Sequence, residues 1–246
     1  MAPTFKHGKS ARVWWGSVNA STMVKSVKFT GKCETGDTTV LGLDDRRAIA
    51  GLKTGEVQMS GYWDGSTGSP NLDAIVYGLM GSTSQFPLTF MPHGDTAGNP
   101  ARLADTVEVA ADVDAPVDGV VEAEFGAQVT GGPRFGLVTK ALAAQSATGA
   151  GTTVDTSVFR TTAQGLVAHL HVTAKTALTS ASFILQHSSN GSSWATHTTL
   201  TAVTSTGYQR SNPLTSVKRY VRTNLNALTG TSVTAGMAVA KSTAGG

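Results

Sequence analysis

Residues 55–63 read GEVQMSGYW, and apolar and polar side chains alternate along them. Val57 and Met59 point to one side of an extended chain, whereas Glu56 and Gln58 point to the other. This period of two is typical of a β-strand with one buried face and one solvent face. The segment therefore predicts a sheet, and the stretches on either side of it indicate how that sheet continues.

Several other segments of the first half have the same character. Short apolar or alternating runs, bounded by Gly, Pro, Asn and Asp, predict further strands. They cover 11–18, 24–30, 86–91, 103–111 and 119–128. In the last of them, Val121, Ala123 and Phe125 alternate with Glu122 and Glu124. The first half is therefore expected to be rich in strands, with two carboxylates on one face of its final strand.

A polar, Gly- and Asp-rich stretch occupies residues 31–52. Its residue types do not favour core positions, so we expect a long loop or an extended hairpin. Ordered loops of this length are uncommon in compact domains and usually have a function. Contact with another subunit is the function we expect, and a solvated loop tip is the alternative. The candidate inter-subunit residues are Asp37, Asp44, Asp45, Arg46 and Arg47.

One segment, about residues 70–80, predicts a helix. Ser69 is a suitable cap, Pro70 suits the first helical position, and Asp73 lies where the helix dipole favours a negative charge. Five apolar residues then recur at helical spacing, and Gly81 ends the pattern. They are Leu72, Ile75, Val76, Leu79 and Met80. The pattern predicts one short amphipathic helix with a buried face.

The second half reads as a β-sandwich. Residues 143–157 are small, Gly- and Thr-rich and nearly uncharged, which is typical of a linker. Six short strands follow, and Asn190-Gly191 between two of them is a hairpin signal. They cover 165–174, 180–187, 194–201, 207–212, 219–224 and 232–240. The expected fold class is all-β: a sandwich or barrel with one short helix, and then a second, Ig-like sandwich.

Charge is divided unevenly between the two halves of the 246-residue chain. Residues 1–140 carry 12 Lys and Arg against 15 Asp and Glu, whereas residues 141–246 carry 7 against 1. Such an asymmetry is typical of two domains with different neighbours. The basic residues of the second half are scattered, which argues against a nucleic-acid-binding surface.

Cysteine content and hydropathy indicate the compartment. Cys33 is the one cysteine, so no intramolecular disulfide and no zinc site is expected. The chain begins without a run typical of a signal peptide, and it has no window of about 20 apolar residues. We expect a protein that folds in a reducing cytoplasm and does not enter a membrane.

Fragments of catalytic motifs are present, but each lacks its required context. Gly8-Lys9-Ser10 ends like a phosphate-binding loop, yet Pro3 stands where that motif needs glycine. Lys53-Thr54-Gly55 matches one element of penicillin-recognising enzymes, and no lysine of the chain follows a serine at the spacing of their other element. We expect no enzymatic activity, no catalytic residue and no cofactor.

Histidines offer one possible metal site. His169 and His171 are two apart on a predicted strand and so share a face, where His187 or His197 could add a ligand. Asp155 is the one acidic residue of the second half, so a solvent face or a subunit contact is the favoured interpretation and no metal is expected.

Tryptophans offer one possible sugar site. Trp63 precedes Asp64-Gly65, and Trp194 follows the Asn190-Gly191 turn. Both could stack on a sugar ring. The favoured interpretation is that each lies at the end of a strand and covers the core.

The order of these elements resembles the major tail tube proteins of long-tailed bacteriophages. The segments that carry the resemblance in the first half are GLKTGEVQMSGYWDG, the helix at 71–80 and FPLTFMPHGDTAGNPARL. The second half resembles the β-sandwich appended to many such proteins, through TTAQGLVAHLHVTA, ASFILQHSSNGSSWATH and VKRYVRTNL. These segments cover nearly the whole chain.

The resemblance implies a tail tube domain at 1–142, a linker at 143–157 and a C-terminal sandwich at 158–246 on the tube exterior. It implies rings, usually of six subunits, that stack around a lumen for DNA. The partners would be other copies of the chain and the tape measure, tail terminator and distal tail proteins. Double-stranded DNA would pass without sequence-specific binding, and the location would be the virion tail after synthesis in the host cytoplasm. Glu122 and Glu124 are the candidate lumen residues.

Three alternatives remain open from the sequence. The ring could be trimeric, with two tube-like domains in each chain. The chain could be another virion β-protein, such as a capsid decoration or tail fibre protein. It could also be a carbohydrate-binding module built on the second sandwich and Trp194.

Overall fold

In the computed structural model, residues 7–39, 45–64, 76–78, 80–157, 165–211 and 216–242 are described. The fold is all-β with antiparallel strands, as predicted. Ten of the described strands form one sheet, and five form a second sheet.

The described strands of the first half are β1 (Arg12–Trp15), β2 (Val18–Asn19), β3 (Val24–Asp37), β4 (Ala48–Tyr62), β5 (Phe86–Met91), β6 (Pro100–Asp114) and β7 (Glu122–Gln145). Four of them, β3, β4, β6 and β7, are longer than the sequence pattern predicts, whereas the strand predicted at 11–18 is divided into β1 and β2 and the strand at 86–91 has the predicted bounds. Two short 3-10 helices, Gly8–Ser10 and Ala20–Thr22, flank β1 and β2. Of the predicted helix at 70–80, residues 76–78 are helical with Val76 buried, and most of the rest lies outside the described residues.

All six strands predicted in the second half are present. They are β10 (Leu166–Thr176), β11 (Ser180–Ser188), β12 (Ala195–Thr199), β13 (Gly207–Arg210), β14 (Tyr220–Thr229) and β15 (Ser232–Lys241). The linker role of residues 143–157 stays a prediction, and the stretch contains strands. It holds the end of β7 and the short strands β8 (Gly149–Ala150) and β9 (Val154–Asp155), which both pair with β14. Small residues suit this pairing as well as they suit a linker.

The first sheet has the order β13-β10-β15-β7-β6-β5-β1-β2, and the pair β3-β4 joins it through β7. The second sheet has the order β12-β11-β14-β8, and β9 also pairs with β14.

β7 connects the two halves. Its first part lies between β4 and β6, and its last part pairs with β15. Gly131 and Gly132 lie between these parts with φ of +69° and +74°, in the left-handed region that glycine adopts readily. The register with β6 shifts near this point, between Leu103 and Asp105. The division into domains at 142 and 158 stays a prediction, and one hydrogen-bonded sheet runs across it.

Two large apolar clusters form the core. One fills the space between the two sheets, where Leu170, Phe183 and Met237 are fully buried. The other lies under β3, β4 and β7 and includes Val57, Met59, Phe125 and Trp15. The alternation predicted at 55–63 therefore has its apolar side in the core. A smaller cluster around Trp14 joins β1 to β6, β7 and β15. No helix in the described part of the chain is long and apolar enough to cross a membrane.

Candidate assembly surface

The stretch at 31–52 is a hairpin rather than a loop, because β3 and β4 pair in register as far as Asp37 and Ala48. Pro133 packs against Gly31 and Gly55, and this marks where the hairpin leaves the body of the protein. We call residues 32–39 and 45–54 the arm. Almost all of the arm is exposed, and its large apolar side chains Ile49 and Leu52 are 61% and 74% exposed.

The length and exposure of the arm are not explained by the stability of the single chain, because an exposed hairpin adds little to that stability. Six residues of β3 beyond Gly31 span about 20 Å at about 3.3 Å per residue. An isolated two-stranded hairpin is only marginally stable in water. An exposed hairpin with apolar side chains such as Ile49 and Leu52 therefore has the character of a contact surface.

Four of the five candidate inter-subunit residues lie at the described end of the arm. The Asp37 carboxylate accepts a hydrogen bond from the Thr39 backbone N–H at 2.8 Å, and the hydrogen bonds from Thr39 lower the pKa of Asp37. Asp37 therefore stabilises the backbone conformation of residues 37–39. Asp45, Arg46 and Arg47 are exposed. Asp44 lies outside the described residues, and the role of all five in subunit contact stays a prediction.

The face of β3, β4, β7 and β6 opposite the core is polar and concave. A groove of about 430 Å³ runs along it. The register of the four strands places five carboxylates and three ammonium groups on this face. The carboxylates belong to Glu56, Asp112, Asp114, Glu122 and Glu124, and the ammonium groups to Lys25, Lys28 and Lys32. We call it the polar face.

Both candidate lumen residues lie on the polar face. Glu122 pairs with Lys25, whose Nζ lies 2.5 Å from Glu122 Oε1, and both side chains are about two-fifths exposed. This hydrogen bond with Glu122 raises the pKa of Lys25. Glu124 is exposed. The structure therefore places both carboxylates on one solvent face, as their alternation predicts, and their place in a lumen stays a prediction.

Among the described strands, this four-stranded unit is open along β3 and, on its other side, at the end of β6. β3 pairs with β4 alone. On the opposite side, β5 covers β6 from Arg102 to Thr106, and of the described strands β7 alone pairs with Ala111–Asp114. Open edges carry unpaired N–H and C=O groups that readily pair with another chain.

The prediction that the histidine side of β10 is a solvent face or a subunit contact is wrong, because His169 and His171 are fully buried within the chain. The opposite side of β10 carries Leu170 and Val172 and packs in the cluster between the two sheets. Strands β1, β5 and β6 cover the histidine side.

His171 Nδ1 lies 2.8 Å from the Gly16 carbonyl oxygen, which accepts its proton, and His171 Nε2 accepts from the Thr89 hydroxyl at 2.9 Å. The acidic partner missing from the second half is Asp105 of the first half, whose Oδ1 lies 3.3 Å from His169 Nε2.

Asp105 is the centre of a buried charge cluster that sequence patterns did not indicate. Its Oδ2 accepts from Arg134 at 2.9 Å and lies 2.9 Å from Arg210 Nε. Burial raises the pKa of Asp105, but His169, Arg134 and Arg210 lower it by more, so the net pKa lies below its ordinary value. Arg134 lies on β7 and Arg210 on β13, so one carboxylate joins strands of both halves.

Acidification is expected to destabilise the protein through its buried histidines. Burial lowers the pKa of His169 and lowers that of His171 to about 3, whereas an unfolded imidazole titrates near 6.5. Below about pH 6.5 the unfolded chain thus binds more protons, so the free energy of unfolding falls with pH, by at most about 1.4 kcal/mol per unit for each histidine. Urea unfolding at several pH values between 7 and 4.5 measures this slope.

His171→Gln serves as the comparison, because glutamine keeps a donor and an acceptor but does not titrate. The slope below pH 6.5 should be shallower in this variant than in the native protein. Equal slopes in the two proteins would contradict the assignment of the loss to His171.

His187 and His197 form a separate pair whose ring centroids lie 4.7 Å apart. Burial lowers the pKa of both, that of His197 to about 4. They lie on β11 and β12, whereas His169 and His171 lie on β10, so the four histidines do not converge. Among the described residues, no group of three or more His, Cys, Asp or Glu is placed to hold a metal ion.

The tryptophans differ from the expected core positions. Trp63 follows the end of β4 but is 41% exposed. Trp194 is partly exposed, and the Arg222 guanidinium lies 4.2 Å from its ring centroid, which covers one ring face. Gln186 holds that guanidinium with a 2.8 Å hydrogen bond to Arg222 Nε. A sugar could stack on that face of Trp194 only after Arg222 moved.

No family model and no curated protein matches the chain. Solved structures do, at low identity. A chain of the virion of a native gene transfer agent (GTA) particle is 11% identical with a TM-score of 0.43, and the match covers 53% of this chain and 98% of that one. The SPP1 tail tube protein is 12% identical with a TM-score of 0.41, over 51% and 76%. The SPP1 Dit protein, a hub adsorption apparatus protein of phages that infect Gram-positive bacteria, is 13% identical with a TM-score of 0.38, over 94% and 99%. Similarity at this level carries no functional inference.

Proposed function

We propose that the chain is a virion structural protein of a tailed bacteriophage, which polymerises into stacked rings and forms the tail tube through which DNA is ejected. The observation that carries the proposal is the four-stranded unit β3-β4-β7-β6, which among the described strands is open along β3 and at Ala111–Asp114 of β6. The tail tube resemblance of the sequence segments supports the same assembly.

Strand directions allow the two edges to join. The four strands alternate in direction, so β3 and β6 run antiparallel to each other. A β3 edge therefore meets the β6 edge of the next copy as an antiparallel pair, and repetition closes a head-to-tail ring. Ring closure removes the exposed edges that would otherwise favour aggregation.

The strand number favours six copies. Twenty-four strands spaced about 4.8 Å apart and tilted by about 40° give a barrel about 48 Å between opposite backbones. Three copies would give about 24 Å, which side chains on both walls reduce below the width of a DNA duplex. We therefore favour six copies that each contribute four strands.

The polar face forms the lumen wall in this arrangement, because the core covers the other side of the unit. DNA must pass along the wall without being held, and each lysine that neutralises a phosphate adds salt-dependent grip. Carboxylates outnumber ammonium groups on the polar face. Glu122 also pairs with Lys25, which reduces the grip of that ammonium group.

The arm makes the contact between stacked rings, and the basic C-terminal half lies on the tube exterior. The partners are other copies of the chain and the tape measure, tail terminator and distal tail proteins. The protein has no catalytic role, cofactor or membrane partner, and it functions in the virion tail after synthesis in the host cytoplasm.

Electron microscopy of the purified full chain tests the proposal. We expect rings with a central channel, and stacks of such rings at high protein concentration. Monomers or discrete trimers without a channel, at every concentration tested, would overturn it.

Reversing the charge at the end of the arm is expected to prevent stacking but not ring formation. Arg46→Glu/Arg47→Glu changes two exposed side chains that make no ion pair within the described residues. We expect tubes to shorten at least several-fold on micrographs while single rings persist. The matched control is Lys175→Glu/Lys218→Glu, which makes the same charge change on the second half. Tubes of native length from the arm variant would contradict a stacking role.

A further inference from the structure

A second concave surface lies beside the open edge of β3. It is a groove of about 550 Å³ between the start of β3, the segment that leads into β1 and the end of β5. Apolar side chains at its walls belong to Val13, Val24, Val27 and Phe90. Basic side chains belong to Lys9, Arg12, Lys25 and His93. None of the described residues that line this groove is acidic.

The far end of the four-stranded unit has the opposite character. Ala111–Asp114 and the following residues 115–120 carry Asp112, Asp114 and Asp118 and no basic residue. Val113 is 41% exposed, Val120 is 65% exposed and Val117 is fully exposed. This segment is thus acidic and apolar, whereas the groove is basic and apolar.

We propose that the groove is the socket for this segment of a second copy of the chain, so that Ala111–Asp114 adds to the β3 edge and residues 115–120 cover the basic side of the groove. This inference rests on the ring proposed above and names the joint that closes it. A small anion in the groove would neutralise its charge but would leave Val113, Val117 and Val120 exposed.

Strand direction and side-chain alternation define the register of the joint. Antiparallel pairing brings the start of β3 against the end of β6, where the groove and the acidic segment meet. Continuity of the two faces requires Val113 to lie on the same side as Val27, since both face the apolar side of their strands. The pairing of Val113 with Val27 then places Asp112 of one copy opposite Lys28 of the next.

In this register, residues of opposite charge meet on the polar face of the joint and apolar residues meet on its core side. On the polar face, Asp112 meets Lys28, and Asp114 lies beside Ser26 and Lys25. On the core side, Val113 enters the groove beside Val27. Directly opposed opposite charges stabilise an antiparallel pair, and like charges destabilise it. Pairing of two β3 edges is disfavoured by the same rule, because it would bring the lysines of two copies together.

Disulfide trapping tests the joint. Lys28→Cys/Asp112→Cys is made in a Cys33→Ser background, because Cys33 is exposed. Within one chain, β4 and β7 separate the two sites by three strand spacings, about 14 Å, which is beyond the reach of a disulfide. Across the joint, directly opposed residues lie about 5 Å apart. After mild oxidation of the assembled protein, we expect a ladder of multiples on a non-reducing gel.

Three controls complete the experiment. Each single-cysteine variant should give no species beyond a dimer. Lys28→Cys/Glu124→Cys should give no ladder, because Glu124 lies on a central strand of the unit. Asp112→Lys should lower the yield of assembled protein several-fold, and the combination Lys28→Asp/Asp112→Lys should restore most of it.

The outcomes separate the joint from the proposed function. Rings on micrographs with no Lys28–Asp112 ladder would overturn the joint and leave the tube proposal standing. Monomers without rings in the native protein would overturn both. A ladder together with rings supports both.

Discussion

Trp14→Ala should lower the free energy of unfolding by about 3–5 kcal/mol, the range found for removal of a large buried aromatic side chain. Trp14 is fully buried, and its ring packs at 5.5 Å between centroids against the His171 ring. The ring also lies directly over Gly236, where an added Cβ would come within 2.6–2.9 Å of three ring atoms. β15 can thus approach Trp14 only because residue 236 has no side chain.

The large effect follows from the position of Trp14 between the two halves. It lies on β1, whereas Gly236 and His171 lie on β15 and β10. Its indole nitrogen has no hydrogen-bond partner among the described residues, so the loss is one of packing alone. Alanine leaves a cavity that these paired strands cannot close. Packing contacts of the Trp14 ring would be lost with both halves of the chain at once.

Urea unfolding measures this loss. Trp14→Phe, which keeps most of the ring volume, should cost less than half as much as alanine. The matched control is Trp63→Ala, which removes the same side chain from a position that is 41% exposed. A loss below about 1 kcal/mol for Trp14→Ala would contradict a packing role at the junction.

The second large effect is expected at the buried charge cluster. Asp105→Asn removes the one carboxylate between Arg134, Arg210 and His169. Breaking a buried pair by neutralising one partner costs about 3–5 kcal/mol, because the remaining charge is left without compensation. The lower end, about 3 kcal/mol, applies here, since the Arg210 side chain is 34% exposed and water screens part of its charge.

The pH dependence of stability gives a second measurement on the same variant. The folded pKa of Asp105 lies below its unfolded value, so its contribution is present above about pH 4 and is lost as pH falls through the folded pKa. Asp105→Asn should lack this loss below pH 4. The matched control is Asp155→Asn, an exposed pair with Arg219 at 2.7 Å, which should change the unfolding midpoint far less. Equal losses from Asp105→Asn and Asp155→Asn would contradict the importance of burial.

Local patterns predict most of the strands, because an apolar or alternating run bounded by turn residues identifies each of them. The alternation at 55–63 falls in β4 as far as Tyr62, and the six strands of the second half are all present. The pattern failed for residues 129–145, the last part of β7. There Gly131 and Gly132 interrupt the alternation, and Gly136–Thr139 are buried on both faces of the strand, so no period of two identifies it. The pattern at 31–52 predicts either a loop or a hairpin and does not decide between them, because exposed strands lack the apolar period that identifies buried ones.

The amino-acid sequence by itself determined the all-β class, the position of most strands and the faces on which Glu122 and Glu124 lie, because these depend on residues two apart along the chain. Tertiary structure alone decided the environment of His169. Its partner Asp105 lies 64 positions earlier, and no local period indicates which strand will cover it. The same holds for the open edges of β3 and β6, since an edge is defined by the strands that do not pair with it. Periodicity reports which side of a strand is buried, and only the packed chain determines what lies against that side.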